Sequence, residues 1–84
     1  PVKTLWQLEK SLIVGRASIC DVYFDDGQMS RQHFCLEREG KNILISDLQS
    51  TNGTSVNGIA VGQKLQLSPG DVIEAGSVKI TVRW

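Results

Sequence analysis

The chain has 84 residues, with nine Lys plus Arg against nine Asp plus Glu and a formal net charge of zero. That balance argues against generic nucleic-acid or anionic-membrane binding, which depends on a basic excess, although it leaves room for a local basic site. A chain of this length buries about 60–65% of its unfolded surface, enough for one core and no second lobe, and no apolar run approaches the roughly 18 residues of a membrane span.

The chain begins at Pro1 without an initiator Met, is strand-like by Leu5, and is still strand-like at Trp84. It reads as a single domain over residues 1–84 cut from a longer protein, with no signal peptide visible. Trp6 and Leu8 alternate with Gln7 and Glu9, and Leu12 and Val14 lead into Gly15. Phe34 and Leu36 alternate with Cys35 and Glu37, and Ile43 and Ile45 with Leu44 and Ser46. A short strand, Val72 to Ala75, follows the turn Ser68-Pro69-Gly70-Asp71, and Val78, Ile80, Val82 and Trp84 alternate with Lys79, Thr81 and Arg83. A period of two is the mark of a half-buried strand. Turn signals at Asp25-Asp26-Gly27, Glu39-Gly40-Lys41-Asn42, Asn52-Gly53, Asn57-Gly58 and Pro69-Gly70 recur at the spacing of short antiparallel strands. No segment sustains a 3.6-residue pattern, so the expected class is an all-β sandwich or barrel. Cys20 and Cys35 lack metal-ligand spacing, and two Cys with one His do not make a zinc set. Free thiols in a reducing, cytoplasmic setting are expected, with a Cys20–Cys35 disulfide as the alternative.

Three segments carry chemistry. Arg16 follows a strand and a glycine; its planar guanidinium can bond phosphate through two parallel N–H groups, or it can be an ordinary surface Arg at a strand end. Ser30 ends a loop, where its hydroxyl can donate to a phosphate oxygen or close a local turn, and Arg31 beside it is either a ligand contact or solvated. Ser30-x-x-His33 pairs a nucleophile type with a base type, but no oxyanion motif and no orienting acid accompany it. His33 is therefore expected to be a buried, hydrogen-bonded brace for the Ser30 or Asn52 loop. The stretch Ser50-Thr51-Asn52-Gly53-Thr54-Ser55-Val56-Asn57-Gly58 crowds short polar groups and two Asn-Gly turns into one region. Asn52 can pair with a peptide backbone or simply occupy a left-handed turn position. Asn57-Gly58 fits a type I′ hairpin turn between Val56 and Ile59.

Gly15-Arg16, then Ser30-Arg31-x-His33, then Asp47-Leu48-x-Ser50-Thr51-Asn52-Gly53-Thr54-x-x-Asn57-Gly58, with the ending Leu67-x-x-Gly70-Asp71-x-Ile73-x-x-Gly76, resembles the forkhead-associated (FHA) domain over about Leu12 to Val82. The resemblance implies a sandwich of two twisted, mostly antiparallel sheets with about eleven short strands. It also implies recognition of phosphothreonine peptides by loops at one end, in phosphorylation-dependent signalling downstream of Ser/Thr kinases. By motif position, Arg16 and Ser30 hold the phosphate, Arg31 flanks it, Thr51 supports it, and Asn52 holds the peptide main chain. Gly15, His33, Gly53 and Asn57 keep the loops in shape. The loop with Asp25, Asp26, Gln28 and Met29 lies where such domains read residues after the phosphothreonine. A mild bias against acidic residues is expected there, with Gln28 and Met29 making the closer contacts. The partner expected is a phosphothreonine-containing protein or peptide, met by a monomeric domain without cofactor, metal, nucleic acid or membrane contact. A scaffold of the same fold that binds without phosphate is the alternative. An enzyme is not expected, since there is no P-loop, no convincing acidic pair and no metal set.

Overall fold

The computed structural model describes residues 11–84. Among them nine strands form: β1 (Ser11–Gly15), β2 (Val22–Tyr23), β3 (Phe34–Glu39), β4 (Asn42–Asp47), β5 (Thr54–Val56), β6 (Ile59–Ala60), β7 (Leu65–Leu67), β8 (Val72–Ala75) and β9 (Val78–Thr81). They make two sheets, ordered β2-β1-β3-β4-β7 and β6-β5-β8-β9, with every pairing antiparallel except β1 with β2. The all-β, two-sheet class is as expected; the strand count is nine rather than about eleven, and the strand expected around Trp6–Leu8 lies outside the described residues.

The alternation read from the sequence becomes the two inner faces. Phe34 and Leu36 of β3, Ile43 and Ile45 of β4, Val56 of β5, Ile73 and Ala75 of β8 and Ile80 of β9 point into one core with Val14, Met29, Val61, Leu67 and Val82. Phe34, Ile45 and Ile73 are fully buried, and each such side chain contributes about 1.5–3 kcal/mol relative to exposure. The β9 ladder stops at Thr81, yet the inside–outside pattern runs on. Val82 stays buried, and its N–H donates to Asp71 O at 2.9 Å.

Register decides where the loops emerge. Val14 pairs with Phe34 and Phe34 with Asp47, so the segments after β1, before β3 and after β4 leave one end of the first sheet. In the second sheet Thr54 pairs with Ala75 and Ala75 with Val78, which brings the start of β5 and the Gly76-Ser77 turn to the same end. The opposite end carries the β5–β6 hairpin. Its central residues Asn57 and Gly58 have φ of 52° and 84°, as a type I′ turn requires. The Asn57 amide also clasps the neighbouring strand: Nδ2 donates to Asp71 Oδ1, and Oδ1 accepts from Val72 N–H, both at 3.0 Å.

Asn57→Ala removes both bonds and puts a residue with poor left-handed tolerance at a positive φ. A loss of about 1–3 kcal/mol in urea unfolding is expected, with Asn57→Gly recovering part of it because glycine restores the backbone freedom. Equal stability of wild type and Asn57→Ala would contradict this account.

Candidate functional site

The site is built on a close backbone approach. The end of β1 is laced to residues 29–33: His33 N–H donates to Val14 O at 2.8 Å, Arg16 N–H to Ser30 O at 3.0 Å and Ala17 N–H to Arg31 O at 3.1 Å. Gly15 makes this possible, since a Cβ there would overlap the Arg31 carbonyl oxygen and lie 2.8 Å from its carbon and 2.9 Å from Gln32 Cα. Arg16 adds a bond of its own, Nε to Met29 O at 3.1 Å. The buried Cys20 thiol donates to Arg31 O at 3.0 Å. Both cysteines are free thiols, and partial burial, first, with the Glu37 charge next, pushes the Cys35 thiol up. Met29 does not face a ligand as the sequence suggested. Its side chain is 2% exposed and sits in the core, so it roots the loop instead of reading a peptide.

His33 is fully buried. Ser30 N–H donates to Nδ1 at 3.0 Å, and Nε2 lies 2.7 Å from Gly53 O. Since a carbonyl only accepts, Nε2 carries the proton and Nδ1 is the acceptor. One ring thus braces both loops, and neither nitrogen remains to take a proton from the Ser30 hydroxyl.

The third loop, residues 48–53, is organised by Asp47. Its Oδ1 accepts from Ser50 Oγ at 2.5 Å and from the buried Thr54 Oγ1 at 2.7 Å, and Oδ2 accepts from Ser50 N–H at 3.0 Å. Partial burial pushes this carboxyl up, but the hydrogen bonds from Ser50 and Thr54 outweigh it and hold its pKa below 3.8. Sequence reasoning assigned Asp47 no role, although an Asp three residues before a Ser is the spacing of such a turn. The positive φ positions are Gln49 at 57° and Gly53 at 81°. Asn52 is therefore not the left-handed residue; its Nδ2 donates to Gln28 O at 2.7 Å and ties this loop to the one before β3. Thr51 contributes its backbone, whose N–H donates to Ser30 Oγ at 2.9 Å.

These bonds bring Arg16, Ser30, Arg31, Thr51 and Asn52 around one open depression of about 340 Å³, with Gln28 on its rim. Ser30 Oγ accepts from Thr51, and its own proton has no acceptor among the described residues. Arg16 uses Nε internally, which leaves both of its terminal nitrogens to face outward. Neither Arg16 nor Arg31 is ion-paired with any described carboxylate. Two unneutralised guanidiniums beside a free hydroxyl proton make a seat for a multiply charged oxyanion. Gly15, His33 and Gly53 support this place directly. Asn57 does not reach it, because it holds the hairpin at the far end of β5. Asp26 is bound into the framework by Ser77 Oγ at 2.7 Å, Ser77 N–H at 2.9 Å and Gln28 N–H at 2.9 Å. The Ser77 hydroxyl bond, first, and the two backbone bonds hold its pKa below the usual carboxylate value.

The FHA domain profile matches residues 12–76. The chain belongs to the FHA domain family. The FHA domain-containing protein FhaA of Mycobacterium tuberculosis is 43% identical over 75 residues, which is 89% of this chain but 14% of FhaA. The oxoglutarate dehydrogenase inhibitor of Corynebacterium jeikeium is 32% identical over 72 residues, 86% of this chain and 49% of that protein. This FHA domain thus spans a minor part of the curated relatives it matches. An FHA domain solved in work on phosphothreonine-dependent FHA interactions superposes with a TM-score of 0.85 at 42% identity, covering 90% of this chain and 78% of that one. Mycobacterium tuberculosis EmbR, solved with a low-affinity phosphopeptide, gives a TM-score of 0.81 at 30% identity, covering 84% of this chain and 19% of EmbR.

Replacing His33 by Ala leaves the Ser30 N–H and Gly53 O without their partner. Each buried group left unpaired costs about 1–3 kcal/mol, so a marked fall in melting temperature is expected. An unchanged melting temperature would remove His33 from its bracing role. Asp47 should show itself in acid. A carboxyl with a depressed folded pKa contributes stability that is complete above its unfolded value of 3.8 and fades as pH falls through the folded one. Asp47→Asn is expected to be less stable than wild type at neutral pH, and the two unfolding free energies should converge below pH 3.8. Curves that stay parallel into acid would contradict this.

Proposed function

We propose that this FHA domain binds phosphothreonine in partner proteins and so makes an interaction depend on a kinase. The observation that carries the reading is that Arg16 and Arg31, neither ion-paired with a described carboxylate, line one open depression with Ser30, whose hydroxyl proton has no acceptor among the described residues. A phosphothreonine brings about −1.5 to −2 charges and three strong acceptor oxygens. The terminal nitrogens of Arg16 and the Ser30 hydroxyl donate to those oxygens, and Arg31 adds charge at the flank. The Asn52 side chain, already turned across the groove by Gln28 O, offers its carbonyl oxygen to a peptide N–H. Each charge-assisted bond contributes roughly 1.5–3 kcal/mol. Two or three of them, less the cost of ordering the peptide, correspond to micromolar to submicromolar affinity. The phosphothreonine and phosphopeptide contexts of the structural relatives support the same ligand.

The ligand leaves unchanged. His33 is saturated by Ser30 N–H and Gly53 O, so the Ser30 hydroxyl has no base beside it. A zero net charge with Arg16 and Arg31 gathered at one depression favours a discrete phosphorylated site over a nucleic-acid backbone.

Arg16→Ala should abolish detectable binding of a phosphothreonine peptide in calorimetry while the domain still unfolds cooperatively. Arg16→Lys should restore only a part, because an ammonium keeps the charge and loses the fork. Wild-type affinity in Arg16→Ala, or equal affinity for the unphosphorylated peptide, would overturn the reading.

A further inference from the structure

The phosphate seat is the middle of three adjoining depressions. On one side lies a hollow of about 360 Å³ edged by Arg16, Arg31, Ser18 and the 84%-exposed Ile19. On the other lies one of about 290 Å³, edged by Asn52, Ser55, Ala60, Glu74 and Gly76. The first shares Arg16 and Arg31 with the phosphate seat, and the last shares Asn52 with it. The three therefore adjoin in a row that runs from the loop end onto the second sheet, and its two ends differ in charge.

The far hollow is lined by a single charged side chain, Glu74. It stands on the outer face of the second sheet, in a cross-strand row with Ser55 on one side and Lys79 on the other. Glu74 is half-buried, yet no ion pair or hydrogen bond joins its carboxylate to Lys79 or to any other described residue. A second negative group lies near, outside the lining of the hollow: a Cβ placed on Gly76, which edges it, would lie 3.0 Å from Asp26 Oδ2. Asp26 is occupied by Ser77 and Gln28 but keeps its charge. The opposing charge is Lys79, exposed and turned to solvent at the next strand. The row thus runs from two guanidiniums to a carboxylate without an ion-pair or hydrogen-bond partner among the described residues.

We propose that Glu74 makes this far hollow a subsite for a Lys or Arg side chain of the bound peptide, so that the domain selects a phosphothreonine with a basic residue on one flank. The inference rests on the phosphothreonine reading above. A basic side chain lying toward the Glu74 end gains an ion pair at a half-buried carboxylate, whereas the same side chain toward Arg16 and Arg31 meets like charge. An acidic residue reverses both effects. Rim ion pairs of this kind shift affinity by about two- to fivefold, and less at high salt.

The test is a phosphothreonine peptide with alanine flanks in which each flanking position in turn is replaced by Lys or Glu, titrated by fluorescence anisotropy at low and at high salt. The wild type is expected to prefer Lys over Glu by about two- to fivefold at a position on one side only, with the preference shrinking in salt. Glu74→Gln should flatten the ranking at that position, and Glu74→Lys should invert it. The readout is the ranking within each protein, so a general change in stability or affinity does not mimic it. Lys favoured nowhere, or favoured equally in wild type and Glu74→Gln, overturns the assignment of Glu74 while leaving phosphothreonine binding in place. Failure of every phosphorylated peptide to bind overturns the underlying reading and this one with it.

Discussion

The approach of residues 30–32 to the end of β1 is the constraint on which the recognition end depends. Two strands of the first sheet leave the same end, and the chain between them must return over the top of the sandwich. It does so within van der Waals reach of Gly15, where no side chain fits. That contact sets Arg16 and Ser30 side by side, because the backbone N–H of one donates to the backbone carbonyl of the other. The placing of Arg16 and Ser30 is thus a by-product of how the backbone is laced, and the two side chains need only point outward from it.

The loops are then tied to each other rather than to solvent. His33 joins the second to the third through its two ring nitrogens, Asn52 joins them again through Gln28, and Asp26 joins the second to the Gly76-Ser77 turn. Asp47 closes the third loop on itself. Buried side-chain polar atoms all find partners among the described residues, so the network has no weak member of the kind that makes partly satisfied networks costly. Polar groups that look from sequence like candidate ligand contacts divide sharply. Asp26, His33, Asp47 and Thr54 make their hydrogen bonds within the protein, while Arg31, the terminal nitrogens of Arg16 and the Ser30 proton find no partner among the described residues.

Much of this was legible beforehand. Period-two alternation located the inner faces of β3, β4 and β9, because a sheet with one dry face leaves that period in any sequence. Asn57-Gly58 announced its turn through the only backbone conformation it serves well. The ordered motifs named residues that the fold gathers around one depression. What stayed hidden depends on tertiary register. The two-residue β2, paired parallel to β1, is too short to show a period. Met29 reads as a peptide contact by its place in the loop, between Gln28 and Ser30, but the loop folds its side chain into the core. Asn52 and Gly53 could share their turn either way round until the reach of the Asn52 amide to Gln28 decided it. Cys20 gave no signal, since nothing local indicates that its thiol meets Arg31 O.

The burial of Met29 bears on time as well as on shape. A recognition loop without such a root is a mobile segment that must settle before it can grip, and its partners wait on that step. Here the loop is already held from below by a thioether in the core and from the sides by hydrogen bonds, among them that of the Asn52 amide to Gln28 O. A partner that collides in the right orientation therefore finds the seat formed, and the on-rate is governed by diffusion and orientation. Choice among ligands of the proposed kind then falls to how long each one stays.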